Sequence, residues 1–355
     1  MANRIDSLLG LLVEQGGSDL HLCSGNPPRL RLRGDLVTVK SRELGSDETL
    51  ALLEELMGEL ARATFERDAA VDFAYEIAGR ARFRVNIYRH IGGVGAVFRA
   101  IPHAIPTVDD LGLPAVLKTF TQPKKGFVLI TGPTGSGKSS TVAALVDQIN
   151  GSRKGHIVTI EDPIEFVHAR KRCLVSQREV GVDSPSFVAA LKSALREDPD
   201  VIVVGEMRDL ETIALAVSAA ETGVLVFGTL HTSGAVATVD RIVNAFHAEE
   251  QARIRTMLST SLVGIASQTL VRRADGRGRL PAVEVLVNTP AISNMLREGK
   301  TDQLANAIQA GGLQGMQTLD TALRKMLDAK LIGGDEAYLH SVVKSDFTRF
   351  AGYST

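Results

Sequence analysis

The stretch GFVLITGPTGSGKS, residues 126–139, decides how this chain folds. Its apolar part, Phe127–Thr131, predicts a buried strand, and the residues that follow, Lys138–Ile149, predict a helix. Between them, Gly132–Ser139 matches the complete phosphate-loop pattern GxxxxGK[ST]. Glycines in such a loop let backbone N–H groups turn towards phosphate oxygens, and the helix N-terminus adds its positive dipole end. A chance match in a glycine-rich turn is the alternative, but the strand and helix on either side favour an α/β nucleotide-binding domain.

The same loop supplies the candidate nucleotide ligands. Lys138 brings a positive charge to the β- and γ-phosphates of ATP, and Ser139 brings a hydroxyl ligand for Mg²⁺. ATP and Mg²⁺ are therefore the predicted cofactors. The residues that we expect to hold the nucleotide are Gly132, Pro133, Thr134, Gly135, Ser136, Gly137, Lys138, Ser139 and Ser140.

Strands and helices alternate after the loop. The predicted strands are Ile157–Ile160, Val201–Val204 and Val224–Leu230, and the predicted helices are Ser186–Arg196 and Leu210–Thr222. Runs such as VIVV and VLVF contain no polar residue, which is typical of a parallel sheet covered on both faces. The remainder of the chain, from about Ala248, is expected to be mostly helical.

The pattern before residue 100 differs, because short strands dominate it. The predicted helices are Asp6–Glu14 and Asp47–Leu60, the second with Leu52, Leu53, Leu56 and Leu60 on one face, and the predicted strands are Leu30–Arg33, Leu36–Val39, Val71–Glu76, Ala81–Tyr88 and Gly95–Ala100. Hairpin turns are expected at Arg33-Gly34-Asp35 and Ala78-Gly79-Arg80. The pattern predicts a small α+β domain.

A proline-punctuated stretch separates the two patterns. Pro102, Pro106 and Pro114 interrupt a polar, helix-poor segment that we interpret as a linker. The predicted organisation is a small α+β domain over residues 1–101, a linker over 102–118 and an ATPase domain with a helical C-terminal part over 119–355.

Glu206 is the candidate catalytic acid. It follows the buried strand Val201–Val204, the place where phosphate-loop enzymes put the group that handles Mg²⁺ or the attacking water. Gly205 stands where an aspartate is common, so no Asp can ligate the metal there. Glu206 is then expected to be a base or a water-positioning residue; the alternative is an acid that caps the next helix.

A second acidic motif, TIEDPIE, spans Thr159–Glu165. It follows a strand that we expect to lie beside the phosphate-loop strand. Glu161 would then complete the Mg²⁺ shell, partly through bound water, because Mg²⁺ usually keeps several waters. The alternative is a solvated acidic turn.

His231 in the motif GTLHT, Gly228–Thr232, ends the next strand. The carboxyl ends of neighbouring parallel strands meet at one edge of a sheet, so His231 is expected near a γ-phosphate or the water beside it. A histidine with a purely structural role is the alternative.

Arginines form the last group of candidates. Phosphoryl transfer spreads negative charge that a guanidinium stabilises, often from a neighbouring subunit. Arg82, Arg84 and Arg99 lie on strand-like segments of the first domain. The alternative is that they are ordinary surface arginines.

Composition narrows the class of protein. The 355 residues are 44% hydrophobic and 23% charged, as in an ordinary globular protein, and the net charge of −1 gives no basic surplus for nucleic acid. No apolar run approaches the roughly 20 residues that a membrane helix needs. The 2 cysteines form no CxxC pair, so no zinc site is expected. Without a predicted secretion signal, we expect a cytoplasmic protein with no membrane span and no direct contact with nucleic acid.

Several motifs together resemble the secretion-ATPase superfamily, and within it the type IV pilus retraction ATPases. The resemblance covers almost the whole chain. The motifs that carry it are GSDLHL (17–22), RFRVN (82–86), GAVFRAIP (95–102), GPTGSGKSST (132–141), TIEDPIEF (159–166), REDPDVIVVGEMRD (196–209), TGVLVFGTLHT (222–232), AISNMLREGKTDQL (291–304) and GMQTLD (315–320). Ser293 and Asp302 depart from the arginine and histidine usual in that family.

The resemblance implies a PAS-like N-terminal domain followed by a RecA-like ATPase domain. It implies a homohexameric ring that hydrolyses ATP and pulls on an inner-membrane pilus platform protein, in some cases beside a paralogous ATPase. Glu206 would be the catalytic glutamate, Glu161 part of the acidic box, and Arg82, Arg84 and Arg99 the arginines that act on the nucleotide. The protein would lie in the cytoplasm, peripheral to the inner membrane at the pilus base.

Two other functions stay open at this point. One is an accessory or paralogous ATPase of pili or secretion, and the departures at Ser293 and Asp302 favour it. The other, from a different class, is an interaction protein that is gated by nucleotide and turns over little ATP. The presence of Lys138, Glu206 and His231 disfavours the second.

Overall fold

The computed structural model describes residues 4–32, 34–77, 79–101 and 104–352. By contact density the chain divides into two compact units. The first unit comprises Met1–Ala104 and Pro163–Val167, and the second comprises Ile105–Asp162 and His168–Thr355. Three residues used in the sequence predictions lie outside the described residues: Arg33 of a predicted strand and turn, Ala78 of a predicted turn, and Pro102 of the predicted linker.

The first unit is a six-stranded sheet with helices on one face. Its elements are α1 (Asp6–Glu14), β1 (Asp19–Cys23), β2 (Arg29–Leu32), β3 (Asp35–Thr38), α2 (Ser46–Glu54), α3 (Glu59–Asp68), β4 (Ala70–Ile77), β5 (Ala81–His90) and β6 (Gly93–Ile101). The strand order is β3-β2-β1-β6-β5-β4, and every neighbouring pair is antiparallel.

Alternation along the strands produces the two faces of this sheet. On β5, Phe83, Val85 and Ile87 are fully buried in the core of the unit, whereas Arg82 and Arg84 point to the opposite face. Side chains on a strand alternate between faces, so one face is apolar and packs under the helices while the other stays polar. The small α+β architecture expected from the sequence is confirmed.

One helix prediction in this unit was wrong. The structure replaces the single helix Asp47–Leu60 by α2 and α3, with a break between Glu54 and Glu59. Helix α2 ends at Glu54, and Gly58, with an extended backbone, is the N-cap residue from which α3 begins. Leu60 is consequently 63% exposed instead of lying on the apolar face. The strand pattern also missed β1, whereas the other strands lie within one or two residues of their predicted positions.

The second unit contains the phosphate loop. Its strands are β7 (Gly126–Thr131), β8 (His156–Glu161), β9 (Leu174–Glu179), β10 (Val201–Val204), β11 (Leu225–Leu230), β12 (Leu262–Arg272) and β13 (Arg279–Val287). Its α-helices are α4 (Lys138–Ser152), α5 (Phe187–Ala194), α6 (Leu210–Thr222), α7 (Ala235–Val243), α8 (Ala248–Ser261), α9 (Pro290–Glu298), α10 (Leu304–Ala310), α11 (Leu319–Asp328) and α12 (Gly334–His340). Short 3₁₀ helices cover Ala115–Thr121, Thr301–Gln303, Gly312–Gln314, Lys344–Asp346 and Thr348–Phe350.

The seven strands of this unit form one sheet in the order β13-β12-β7-β11-β10-β8-β9. All neighbours are parallel except the β12–β13 pair, which is antiparallel. Every residue of β7, β10 and β11 is buried, as expected for central strands of a sheet covered on both faces. The predicted parallel sheet is therefore confirmed.

One expectation for this sheet was wrong and another was incomplete. The strand β8, which carries the acidic motif, does not lie beside β7, because β11 and β10 lie between them. The described region after Ala248 is helical over most of its length, as expected, but the sequence pattern missed the long hairpin that β12 and β13 form there. Helix α8 ends at Ser261 and β12 begins at Leu262, so no glycine or proline marked the change from helix to strand.

Part of the predicted linker belongs to the second unit. Val108, Leu113 and Leu117 are buried in the apolar core beside α4 and the sheet. These contacts make residues from Ile105 onward part of the packed second unit. The domain limits at 1–101, 102–118 and 119–355 stay a prediction.

Candidate functional site

The phosphate loop links β7 to α4, and its glycines have conformations that other residues rarely adopt. Gly132, Gly135 and Gly137 have φ values of +141°, +75° and +87°. A Cβ atom on Gly132 would lie 2.2 Å from the carbonyl oxygen of Gln268. Both the positive φ and the lack of space require glycine at Gly132.

Two polar groups inside the loop fit a phosphate ligand. Lys138 is only 9% exposed, and its Nζ donates to the carbonyl oxygens of Gly132 at 2.9 Å and Pro133 at 3.0 Å. The buried Oγ of Ser136 has no hydrogen-bond partner among the described residues. A buried cation and an unpaired hydroxyl beside the N-terminus of a helix match the chemistry of a phosphate group. Ser139 and Ser140 lie half-buried in the first turn of α4.

A chain of polar contacts joins the loop to the candidate catalytic acid. Thr134 Oγ1 lies 3.3 Å from Nδ1 of His231, and Nε2 of His231 lies 3.1 Å from Oε1 of Glu206. Arg208 Nη2 donates to the other carboxylate oxygen of Glu206 at 2.7 Å. The sheet order explains this meeting, because β7, β11 and β10 are adjacent and their carboxyl ends carry these residues. The structure thus brings His231 and Glu206 together beside the phosphate loop, as the sequence predicts, and shows Thr134 as the loop residue that contacts His231.

The charge on Glu206 is stabilised in this arrangement. The hydrogen bond from Arg208 is the main reason that the pKa of Glu206 lies below its usual value, and the charge of His231 contributes in the same direction. The pKa of Arg208 is raised, chiefly by Glu206 and to a smaller extent by Asp162. Glu206 is therefore ionised at neutral pH and accepts hydrogen bonds. No sequence pattern had indicated a role for Arg208.

The backbone around Gly205 explains the glycine that precedes Glu206. A Cβ atom there would lie 3.0 Å from the carbonyl oxygen of Ile160 and 3.2 Å from Cα of Glu161. The Gly205 carbonyl also accepts a short hydrogen bond from Thr229 Oγ1 on β11. The ends of β8, β10 and β11 are therefore packed too closely for an aspartate without a local shift.

Glu161 lies at the end of β8, farther along the sheet from the loop than predicted. Its Oε1 accepts a hydrogen bond from Thr159 Oγ1 at 2.6 Å and one from Gln177 Nε2 at 3.3 Å. The same Gln177 accepts from the backbone N–H of His168 through Oε1 at 2.8 Å. These bonds hold Glu161 on the β8–β9 side of the sheet, where β10 and β11 separate it from β7.

The segment after His231 is fixed by the β12–β13 hairpin. The backbone N–H of Gly234 donates to Ser267 Oγ at 2.8 Å, and that of Ala235 donates to Glu284 Oε1 at 2.7 Å. These two bonds anchor the N-terminus of α7 and so limit the movement of the loop that carries His231. Only the fold reveals this support, because β12 and β13 were not predicted.

A second residue of β12, Gln268, contacts the phosphate loop itself. Its Nε2 donates to the Ser136 carbonyl at 2.6 Å, and its Oε1 accepts from Thr141 Oγ1 at 2.9 Å. Sequence reasoning missed Gln268, and no local pattern could have found it, since it stands 132 residues from Ser136.

The three arginines of the first unit each face a carboxylate. The distances to the nearest carboxylate oxygen are 2.9 Å from Arg99 Nε to Asp19 Oδ1, 3.6 Å from Arg82 Nη1 to Glu76 Oε2, and 3.7 Å from Arg84 Nε to Asp72 Oδ1. Arg84 and Arg99 are direct partners in the β5–β6 register. The arginines therefore share the polar face of one sheet, and their part in catalysis stays a prediction.

The described part of the chain contains neither a cluster of metal-ligating side chains nor a membrane-spanning helix. Within the described ranges, no three or more His, Cys, Asp or Glu side chains are grouped so that they could hold a metal ion. Mg²⁺ in nucleotide sites is commonly held by one or two side chains together with phosphate oxygens of the substrate. The hydroxyl group of Ser139 would be one such side-chain ligand. In the same ranges, no helix has the length and apolar character required to cross a membrane.

The chain is similar to known proteins over almost its whole length. The model of the family described as "Type II/IV secretion system protein" matches residues 4–319. The chain is 50% identical over 343 residues to the "Type IV pilus retractation ATPase PilT" of Pseudomonas aeruginosa (strain PAO1), covering 97% of this chain and 99% of that protein. It is 46% identical over 310 residues to the "Twitching motility protein" of Neisseria gonorrhoeae, covering 87% of this chain and 83% of that protein.

The fold is also similar to that of a solved relative. A crystal structure of the pilus retraction motor PilT with bound ADP has a TM-score of 0.90 and 42% identity, and the match covers 98% of this chain and 100% of that one. An α/β fold with a RecA-like ATPase domain, preceded in sequence by a smaller α+β domain, is confirmed. The phosphate loop, its contact with His231, which in turn contacts Glu206, and these similarities identify the chain as an ATPase of the type II/IV secretion system protein family.

Proposed function

We propose that this chain is the ATP-hydrolysing motor of type IV pilus retraction, which removes pilin subunits from the pilus and drives twitching motility. The observation that carries the proposal is the contact chain from Thr134 through His231 to Glu206. A protein that only binds nucleotide needs the loop, whereas a hydrolase also needs an acid and a polar partner beside it. The names of the similar proteins supply the link to pilus retraction.

In the proposed mechanism, Gly132–Ser140 bind the phosphates of ATP. Lys138 exchanges its bonds to the Gly132 and Pro133 carbonyls for phosphate oxygens, and Ser139 offers its hydroxyl to Mg²⁺. Ser139, together with Glu161 through bound water, would hold Mg²⁺, and the ion would supply positive charge beside the phosphates.

Glu206 and His231 act on the attacking water and the γ-phosphate. With its pKa lowered by Arg208, Glu206 is a weak base while that hydrogen bond is present, so its resting role is to orient water by accepting a hydrogen bond. His231 lies between the loop and Glu206, which suits a hydrogen-bond donor that senses the γ-phosphate. Arg82, Arg84 and Arg99 would stabilise transition-state charge once released from their carboxylate partners.

The proposal includes an assembly and a location. We propose a homohexamer, in which Arg82, Arg84 and Arg99 act at the nucleotide, and a cytoplasmic position at the inner membrane beside a pilus platform protein. A paralogous ATPase is a further expected partner. The similarity to the PilT proteins supports the oligomer, the location and the partners. The homohexamer is also supported by the chemistry, because cationic groups beyond the phosphate loop are needed to stabilise charge around the γ-phosphate.

A second candidate is an accessory motor of the same machinery. Ser293 stands where the retraction ATPases usually have arginine, and its Oγ donates to the Ser259 carbonyl at 2.7 Å on helix α8. A short hydroxyl bonded to its own subunit cannot make the contacts of an arginine. The surface of α9 at this position therefore differs from that of the usual retraction ATPases, and this difference is the observation that favours the accessory function.

Two experiments test the proposal. Steady-state ATPase assays should give turnover for the wild type and a loss of at least about 100-fold for Glu206→Gln, with ADP binding retained. The matched control is Glu211→Gln, because Glu211 is exposed on α6 and pairs with Lys192 away from the loop. A wild-type oligomer without turnover would overturn the enzyme function and leave the nucleotide-gated interaction protein.

The cellular experiment separates the motors. A deletion strain is complemented with wild type, Glu206→Gln or Glu211→Gln and scored for surface pili and twitching. The retraction function is supported if the deletion strain has excess pili and no twitching, and if only wild type and Glu211→Gln restore normal pilus number and motility. Loss of pili indicates an assembly motor, and a nearly unchanged strain indicates an accessory one; either result refutes the proposed main role.

A further inference from the structure

Gln268 is a buried amide with both ends bonded to the phosphate-loop region. It is 2% exposed, its Nε2 lies 2.6 Å from the Ser136 carbonyl oxygen, and its Oε1 lies 2.9 Å from Thr141 Oγ1. The Ser136 carbonyl can only accept a hydrogen bond, so the amide orientation is fixed. One side chain thus connects the middle of the loop with the first turn of α4.

The backbone of Gln268 supports the same loop. In the parallel β7–β12 register Ser267 is the partner of Thr131, which puts Gln268 level with Gly132. A Cβ atom on Gly132 would approach the Gln268 carbonyl to 2.2 Å, and one on Gly137 would approach its Nε2 to 3.1 Å. The glycines at both ends of the loop therefore pack directly on Gln268.

The bond to Ser136 has a consequence for phosphate binding. In a trans peptide the carbonyl of one residue and the N–H of the next point in opposite directions. Fixing the Ser136 carbonyl towards Gln268 therefore aims the Gly137 N–H away from β12. Phosphate loops bind their ligand with such backbone N–H groups, so the direction of this peptide affects nucleotide affinity.

We propose that Gln268 is a positioning residue that holds the phosphate loop in its nucleotide-binding shape. The inference rests on the proposed assignment of Gly132–Ser140 as the nucleotide site. Gln268 bonds to the loop rather than to the ligand, and its effect is to orient the loop before nucleotide arrives. Losing it therefore weakens the binding of ADP and ATP alike, which raises KM with little change in kcat.

The experiment compares three variants of the full chain. Gln268→Met removes both hydrogen bonds of the side-chain amide with little change in side-chain volume, and Thr141→Val removes only the hydroxyl group that donates to Gln268. The matched control is Thr269→Val, which changes the next residue of β12. The Kd for ADP with Mg²⁺ is measured by calorimetry, KM and kcat by ATPase assay, and the melting temperature without nucleotide by thermal unfolding.

The expected result is a Kd for ADP and a KM for ATP raised about tenfold or more in Gln268→Met, with kcat within about threefold of the wild type. Thr141→Val should have a smaller effect, and the two changes combined should be less than additive because they share one hydrogen bond. Thr269→Val should bind ADP as the wild type does.

Other results overturn the inference. An ADP affinity within twofold of wild type in a folded Gln268→Met protein would do so. If Thr269→Val loses as much ADP affinity as Gln268→Met, the role of Gln268 is merely structural. The same conclusion follows if the melting temperature of Gln268→Met collapses while Thr141→Val binds ADP with wild-type affinity. Lys138→Ala separates the two levels: if it binds ADP as the wild type does, the assignment of the site itself fails. If Lys138→Ala loses binding and Gln268→Met keeps it, only the present inference fails.

Discussion

His168 should make the stability of the ATPase unit depend on pH. The side chain precedes β9, and its Nδ1 is a buried atom without a hydrogen-bond partner among the described residues. Burial lowers the pKa of His168 from 6.5 to about 4, with smaller and opposing effects from Asp147 and Lys171. The folded protein therefore keeps His168 neutral at neutral pH, and acid must protonate a group that has no partner for the new proton.

The sign and size of the effect follow from linkage. Between pH 6.5 and 4 the unfolded chain binds the His168 proton and the folded chain does not, so the free energy of unfolding falls as the pH falls through this window. Above about pH 7 the contribution of His168 is constant. The difference between 6.5 and about 4 corresponds to about 3 kcal/mol in full, of which about 2 kcal/mol is lost by pH 5.

The assay compares wild type with His168→Gln by denaturant unfolding of the full chain at pH 7.5 and pH 5.0. His247→Gln is the matched control, because His247 is exposed at the N-terminus of α8. Wild type and control should lose about 2 kcal/mol more than His168→Gln on acidification. Other titrating groups are common to all three proteins and cancel in this difference. The same acid-induced loss in His168→Gln would refute the reasoning.

Four further predictions concern the site. Lys138→Ala should abolish measurable nucleotide binding, because the loop loses its buried cation; calorimetry that finds ADP affinity within a few-fold of wild type would contradict this. Arg208→Gln should raise the pKa of Glu206 and move the acid limb of the kcat–pH profile to higher pH, whereas an unmoved limb would exclude Arg208 as its cause. Gly205→Ala should cost about 1–3 kcal/mol of stability and slow turnover, since its Cβ meets backbone at 3.0 Å, and an unchanged melting temperature would disprove the crowding. Arg84→Ala should reduce kcat more than nucleotide affinity; equal losses would indicate a structural role.

Much of the fold was predictable because its signals are local. The apolar runs of β7, β10 and β11 each lie within a few contiguous residues, and the structure confirms them as strands. The break at Gly58 was missed because the leucine spacing continues across it, and a single glycine was outweighed by that pattern. The strands β12 and β13 were missed because their pairing with β7 and with each other, not their composition, makes them strands.

The part of the candidate site that lies at the carboxyl ends of the parallel strands was predictable from the sequence. Glu206 and His231 were expected to meet beside the phosphate loop because parallel strands end at the same edge, and the structure brings them together there, with Thr134 as the loop residue in contact with His231. The position of Glu161 was misjudged, since consecutive strands in the chain were assumed to be neighbours in the sheet. The polar partners Arg208 and Gln268 had no signal, because a single arginine or glutamine is common on any surface or strand.

The sequence by itself determined that GFVLITGPTGSGKS is a strand, a phosphate loop and a helix, because those preferences arise from residues in direct chain contact. The tertiary structure alone decided what surrounds that loop. Insertion of β11 and β10 between β7 and β8 put His231 and Glu206 beside it and kept Glu161 farther away. Pairing of β12 with β7 brought Gln268 to Ser136 across 132 residues. Contacts over such separations depend on which strand order buries the most apolar surface, and that is a property of the whole packed chain.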